Sequence, residues 1–144
     1  LGWAMEGLLS SWSLTEDTEY LEQAKQMAEY ILETQKPDGS WNFMLDRTEE
    51  EAGVDDKGTP LWSLLLYRLY EACRIPRYLE GARRALNWCL ENQIQEGDRE
   101  CVGGLAGANP QAAVVYRPWF KLSCLYTSGF FALALLEELR IGKE

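Results

Sequence analysis

The chain lacks histidine and has only four cysteines among its 144 residues. The spacings of Cys73, Cys89, Cys101 and Cys124 match no zinc pattern, and histidine is missing to complete one. We therefore predict no metal site and no cofactor. Cys73 and Cys89 fall at helical core positions, where a thiol acts as a small apolar side chain. A disulfide between two of the cysteines remains an alternative. The cellular compartment is therefore unassigned, with the cytoplasm weakly favoured.

Positive charge is also scarce, with 14 Lys and Arg against 23 Asp and Glu and a net charge of −9. Nucleic-acid binding relies on clusters of Lys and Arg that neutralise phosphates, and an anionic membrane surface attracts the same residues. The longest apolar run, residues 130–136, is far shorter than the roughly 20 residues that span a bilayer. We expect neither nucleic acid nor a membrane as a partner.

What the chain does contain is ample apolar side-chain area, with 47% hydrophobic and 12% aromatic residues. This composition suffices for a core and is unlike that of disordered proteins. The length fits one domain covering residues 1–144.

An internal repeat is the strongest pattern in the sequence. Segments 20–24 (YLEQA) and 32–35 (LETQ) return as 78–82 (YLEGA) and 90–93 (LENQ), each 58 positions further along the chain. A repeat of this length is typical of one supersecondary unit stacked into an array or a ring.

Two kinds of helix alternate along the chain. Residues 20–32 and 78–90 carry apolar side chains at helical spacing on one face only, with Asp17 as N-cap and Pro76 at a first helical position. Segments 2–9, 61–70 and 129–136 are apolar nearly all round, which is typical of helices buried on most sides.

This order predicts an all-α fold of antiparallel αα-hairpins in two layers, a partial α/α toroid, without a credible strand. The series of five predicted helices ends on an apolar one, whose surface needs a neighbour to cover it. We therefore expect that the chain is a piece of a larger barrel or that self-association completes it. Because residues 1–3 already form part of a helix without an initiator Met, we expect the natural N-terminus to lie upstream. Long loops at 36–57 and 95–122 are the expected sites of function.

One segment matches a known motif. Tyr30, Ile31, Gln35, Gly39 and Trp41 have the spacing of the QW motif and resemble terpene cyclases and related α/α-toroid proteins. The resemblance implies structural roles: Gln35 ties a helix end to the next turn, and Trp41 packs on it.

In overall pattern the chain is most similar to the six-hairpin glycosidases, which include unsaturated glucuronyl and rhamnogalacturonyl hydrolases. The similarity rests on the phrase 56–59 (DKGT) before an apolar helix and on 78–82 within an amphipathic one. It implies a barrel of six hairpins, of which this chain would supply less than half.

Two adjacent acids are the candidate catalytic residues. Asp55 and Asp56 directly precede the apolar helix at 61–70, where the positive end of the helix dipole favours a carboxylate. Glycoside hydrolysis needs a pair of carboxyl groups, one donating a proton and one activating water or attacking. The alternative is a helix cap beside a solvated acid. The acidic run 46–51 is more typical of a solvated loop.

Aromatic and basic residues in the second long loop, together with Tyr126 just after it, are the candidate substrate-binding residues. Tyr116, Trp119 and Tyr126 can stack on sugar rings, and Arg117 or Lys121 can pair with the carboxylate of an acidic sugar. The alternative for the aromatic residues is packing in the core.

Other tryptophans are expected in the core. Trp62 lies within an apolar helix, and Trp3 and Trp12 belong to the first one. Trp41 follows a turn, which is typical of an anchoring residue.

These features predict a carbohydrate-active protein, a glycoside hydrolase of the six-hairpin type that acts on an oligo- or polysaccharide. The alternative is a helical-repeat module without catalytic activity that binds a partner or a glycan. A terpene-cyclase-like enzyme is a third hypothesis, disfavoured because Gly53 stands where the Asp-x-Asp-Asp motif of class II cyclases begins.

Overall fold

The computed structural model describes residues 1–55, 57–105 and 124–143. In these ranges the chain is all-helical and contains no β-strand beyond an isolated antiparallel bridge between Asn42 and Val54. The predicted all-α class is therefore confirmed. The helices are α1 (Gly2–Thr15), α2 (Thr18–Glu33), α3 (Glu49–Ala52), α4 (Gly58–Cys73), α5 (Pro76–Glu91) and α6 (Leu125–Ile141).

The starts of the two amphipathic helices follow from local chemistry. The Asp17 carboxylate accepts a hydrogen bond from the Glu19 N–H (3.0 Å) and caps α2. Pro76 is the first residue of α5, where its missing N–H costs no helical hydrogen bond. Both predicted signals are confirmed.

Helix α4 is central and contacts α1, α5 and α6. At its start, a Cβ on Gly2 of α1 would come within 2.7 Å of Leu61. Near its end, Glu71 forms an ion pair with Arg140 of α6. Contacts at matching ends mean that α1, α4 and α6 run in the same direction.

The amphipathic helices lie against this apolar group. α2 contacts α1, and α5 contacts α4. The Ser63 hydroxyl of α4 donates to the Ala82 carbonyl of α5 (2.9 Å), and Tyr78 of α5 donates to Glu29 of α2 (2.9 Å). The helices thus pack together, and their arrangement as hairpin repeats of a toroid stays a prediction.

Burial differs among the three apolar helices. α4 is buried along most of its length because neighbours flank it. α1 and α6 each bury one face and expose the other, with Trp3 66% and Leu136 61% exposed. Expecting all three helices, and Trp3, to be buried on most sides was wrong for the two flanking helices, since one face of each meets no other helix in the described part of the chain.

The acidic run after residue 45 forms a short helix rather than an irregular loop. Thr48 and Glu51 form a capping box around α3, in which the Thr48 N–H donates to the Glu51 carboxylate (3.0 Å). The acidic side chains remain exposed, as expected of a solvated run. No helix in the described part of the chain is long and apolar enough to cross a membrane.

All four cysteines lie within the described residues, and no disulfide joins them. Cys89 is fully buried in the core, as predicted. Cys73 is half-buried at the end of α4, and its thiol donates to the Leu69 carbonyl (3.0 Å).

Candidate functional site

The candidate site is built where the loop after α2 meets the start of α4. Two backbone hydrogen bonds pin residues 53–55 to residues 41–43. The Asp55 N–H donates to the Trp41 carbonyl (2.8 Å), and the Phe43 N–H donates to the Gly53 carbonyl (2.9 Å). This short pairing fixes the backbone of Asp55 relative to the core.

Trp41 holds the loop to the helices. Its side chain is fully buried, and its indole N–H donates to the Ile31 carbonyl at the end of α2 (2.7 Å). Its ring lies 6.4 Å from that of Trp62, which is itself buried in α4. A bulky ring with its polar atom satisfied is a strong anchor for a loop.

Gln35 and Gly39 complete this anchor. The Gln35 side-chain amide donates to the carbonyls of Gly39 in the turn and Gly81 in α5, both at 3.0 Å. Gly39 has φ +92°, and a Cβ there would overlap the Arg84 carbonyl. These contacts are of the linking kind that the resemblance implies for Gln35, Gly39 and Trp41.

Asp55 lies three residues before α4, and its side chain binds the first N–H group of that helix, although Lys57 is the residue at the N-cap position itself. The Asp55 carboxylate accepts a hydrogen bond from the Gly58 N–H (2.8 Å), and its carbonyl accepts one from the Thr59 hydroxyl (2.7 Å). A Cβ on Gly58 would overlap the Asp55 carboxylate, so glycine allows this close approach. The capping role and the predicted position at a helix start are both present.

Burial changes the acidity of Asp55. Removal from water raises the pKa of the Asp55 carboxyl to about 6, against the opposing effects of the Gly58 N–H and the Lys57 ammonium. A carboxyl with a pKa near neutral pH can hold a proton and release it during a reaction. Desolvation is the largest cause of this rise in pKa.

Cys124 occupies the N-cap position at the start of α6. Burial raises the pKa of the Cys124 thiol, but backbone N–H groups of Thr127 and Tyr126, together with Lys57, outweigh it and lower the pKa. Lys57 therefore acts electrostatically on both Asp55 and Cys124. Sequence reasoning missed Cys124 because the apolar helix was expected to begin at residue 129, which left Cys124 between that helix and the long loop at 95–122.

Exposed aromatic rings lie at the same end of the parallel helices. Tyr126, in the first turn of α6, is 65% exposed. Trp3 of α1 meets Phe130 of α6 edge to face, with ring centroids 5.8 Å apart. Trp3 was expected in the core and is instead a surface residue, 66% exposed.

Of the predicted site residues, the structure describes Asp55 and Tyr126, each near the start of one of two parallel helices. The remaining predicted residues lie outside the described residues: Asp56, Tyr116, Arg117, Trp119 and Lys121.

No known protein family, curated protein or solved structure matches the chain. Within the described ranges, no group of three or more Cys, Asp or Glu side chains is placed to hold a metal ion. The function is therefore argued from the chemistry of the site.

Proposed function

We propose that the chain is a carbohydrate-active protein, a glycoside hydrolase of the six-hairpin type that acts on an oligo- or polysaccharide. One observation carries this proposal: Asp55 is a half-buried acid just before α4 whose pKa is raised to about 6. A general acid for glycosidic cleavage must hold a proton at the working pH, and a pKa of about 6 lets Asp55 do so in mildly acidic solution.

In the proposed reaction, Asp55 protonates the glycosidic oxygen as the bond to the sugar breaks. Asp56 supplies the second carboxylate, which either activates water or attacks the sugar. Tyr126 supports this proposal as an exposed ring that a sugar face can cover. Tyr116 and Trp119 are proposed as further stacking rings.

Arg117 and Lys121 are proposed to pair with the carboxylate of an acidic sugar. A guanidinium or ammonium group recognises such a carboxylate through charge-assisted hydrogen bonds. The proposed substrates are therefore glycans that contain uronic acids.

The proposed architecture is an array of αα-hairpins belonging to an α/α toroid. Its support is the parallel arrangement of α1, α4 and α6, with α2 and α5 as their outer partners. In such a ring the starts of the parallel helices share one rim, which brings Asp55 and Cys124 to the same side.

The test measures reducing ends released from neutral and uronic-acid oligosaccharides by the wild type, Asp55→Asn and Asp46→Asn. Asparagine can still cap α4 but cannot donate the proton, so we expect Asp55→Asn to lose about 10²- to 10⁴-fold in rate. Asp46 is an exposed acid in the same loop and serves as the matched control, with an unchanged rate. Full activity in Asp55→Asn would refute the proposed general acid.

The second candidate function is a helical-repeat module that binds glycan without catalysis. Its specific support is that the Asp55 carboxylate already has a structural use as the cap of α4. This function predicts no hydrolysis by the wild type, weaker glycan binding in Trp119→Ala and unchanged binding in Asp55→Asn. Calorimetry with the same oligosaccharides separates the two functions.

A further inference from the structure

The sequence repeat has a structural counterpart inside the chain, in the way one hairpin seats on the next. We call Leu32, Gln35 and Gly39 the first turn. Leu32 packs against Gly81 of α5 so closely that a Cβ on residue 81 would overlap the Leu32 side chain. The Gln35 amide donates to the Gly81 carbonyl (3.0 Å).

The receiving surface on α5 consists of residues 81, 84 and 85. The Arg84 guanidinium donates to the Gln35 side-chain oxygen (3.1 Å). Gly39 lies so close to the backbone of Arg84 and Ala85 that a Cβ would be 3.1 Å from the Ala85 nitrogen. This internal contact defines how a turn and a helix of this repeat fit together.

The residues of α2 that lie 58 positions before this receiving surface in the sequence line an open groove. Gln23, Gln26 and Met27 of α2 correspond to positions 81, 84 and 85. Tyr30 corresponds to Trp88, and its exposure is 45% where that of Trp88 is 7%. The groove has a volume of about 400 Å³ and is lined by Leu1, Leu8, Gln23, Gln26, Met27 and Tyr30.

The residues 58 positions after the first turn form a second one, which seats on no helix in the described part of the chain. Its Gln93 amide, the counterpart of that of Gln35, donates to the Gly103 carbonyl (2.6 Å). Leu90 corresponds to Leu32, and it is 42% exposed where Leu32 is 7% exposed. Gly97 corresponds to Gly39 and shares its positive φ (+112° against +92°). No described atom lies within 4 Å of a Cβ placed on Gly97. We call residues 90–97 the second turn.

We propose that two copies of this chain associate head to tail, the second turn of one copy seating in the groove of the next. The occupant is a second copy because the chain carries sequence counterparts of both surfaces of a contact that it already forms internally. Gln23 and Met27 are larger than Gly81 and Ala85, so the contact between copies is looser than the internal one. An interface between two different surfaces leads to a ring or an open chain.

The test is sedimentation velocity of the full chain over a range of concentrations, with two single variants that each break one surface. Tyr30→Glu places a charge in the groove, and Leu90→Glu places one on the second turn. We expect association of the wild type and at least a tenfold weaker association of each variant alone. Leu14→Glu changes a leucine that is 85% exposed outside both surfaces and should associate like the wild type.

Mixing the two variants distinguishes head-to-tail association from a symmetric dimer, in which both copies use the same surface. The Tyr30→Glu chain keeps its second turn and the Leu90→Glu chain keeps its groove, so the mixture should regain one interface and form heterodimers. A monomeric wild type, self-association retained by either variant, or no recovery in the mixture would overturn the proposal. Circular dichroism checks folding, and Tyr30→Ser or Leu90→Ser replaces a glutamate variant that is unfolded.

Discussion

Asp55 combines a favourable hydrogen bond with an unfavourable environment for its charge. The Gly58 N–H stabilises the carboxylate, but burial dominates and raises the pKa to about 6 from an ordinary value of 3.8. The folded chain therefore binds this proton more tightly than the unfolded chain does. Stabilisation by protonated Asp55 is complete below about pH 4 and is lost as the pH rises through about 6.

Replacing Asp55 with asparagine should remove this loss of stability. Each pKa unit corresponds to about 1.4 kcal/mol, so we expect Asp55→Asn to raise the free energy of unfolding at pH 7 by up to about 3 kcal/mol. The measurement is urea unfolding at several pH values, with the gain shrinking towards pH 4. Asp46→Asn should follow the wild type, and a less stable Asp55→Asn at pH 7 would contradict the assigned environment.

Gly39 offers a second test at the scale of one residue. Gly39→Ala combines a positive φ of +92° with overlap against the Arg84 carbonyl, whereas Gly103 has a φ of +90° with its nearest described neighbour 3.9 Å away. Backbone strain alone costs about 1 kcal/mol, so Gly103→Ala should lose about that much. Gly39→Ala should lose at least about 2 kcal/mol more in denaturant unfolding. Equal losses would show that the turn does not press against α5.

At the scale of elements, the loop from residue 36 to residue 57 depends on Trp41. Trp41→Phe removes the indole N–H and leaves the Ile31 carbonyl without its 2.7 Å partner, together with a cavity. We expect a loss of about 2–4 kcal/mol in thermal or denaturant unfolding. Trp3→Phe, at a ring that is 66% exposed, should cost under about 1 kcal/mol. If Trp41→Phe left the free energy of unfolding unchanged, the loop would have to be held by other contacts.

Periodicity predicted the long helices because their apolar positions recur at helical spacing. It failed for α3, whose four residues are too few for a period. The signal available there was Thr48 followed three positions later by Glu51, the pattern of a capping box. Periodicity also could not show that α1 and α6 expose one face, since the number of neighbours around a helix depends on the whole fold.

At the scale of the whole molecule, the candidate site was only partly predictable. The position of Asp55 before an apolar helix is local information, and its role as cap follows from that position. Its burial arises from the pairing of residues 53–55 with residues 41–43 and from the packing of Trp41 on α4. Such contacts join distant segments, so no local pattern shows how far a carboxyl is removed from water.

The proposed chemistry depends on Asp55 being an acid whose pKa lies near neutral pH. Its most direct test is an NMR titration of the side-chain carboxyl carbons in the full chain, with Asp55 assigned by comparison with Asp55→Asn. The account predicts a midpoint near 6 for Asp55. A midpoint near 4, the ordinary value for aspartate, would contradict both the buried environment and the proposed general acid.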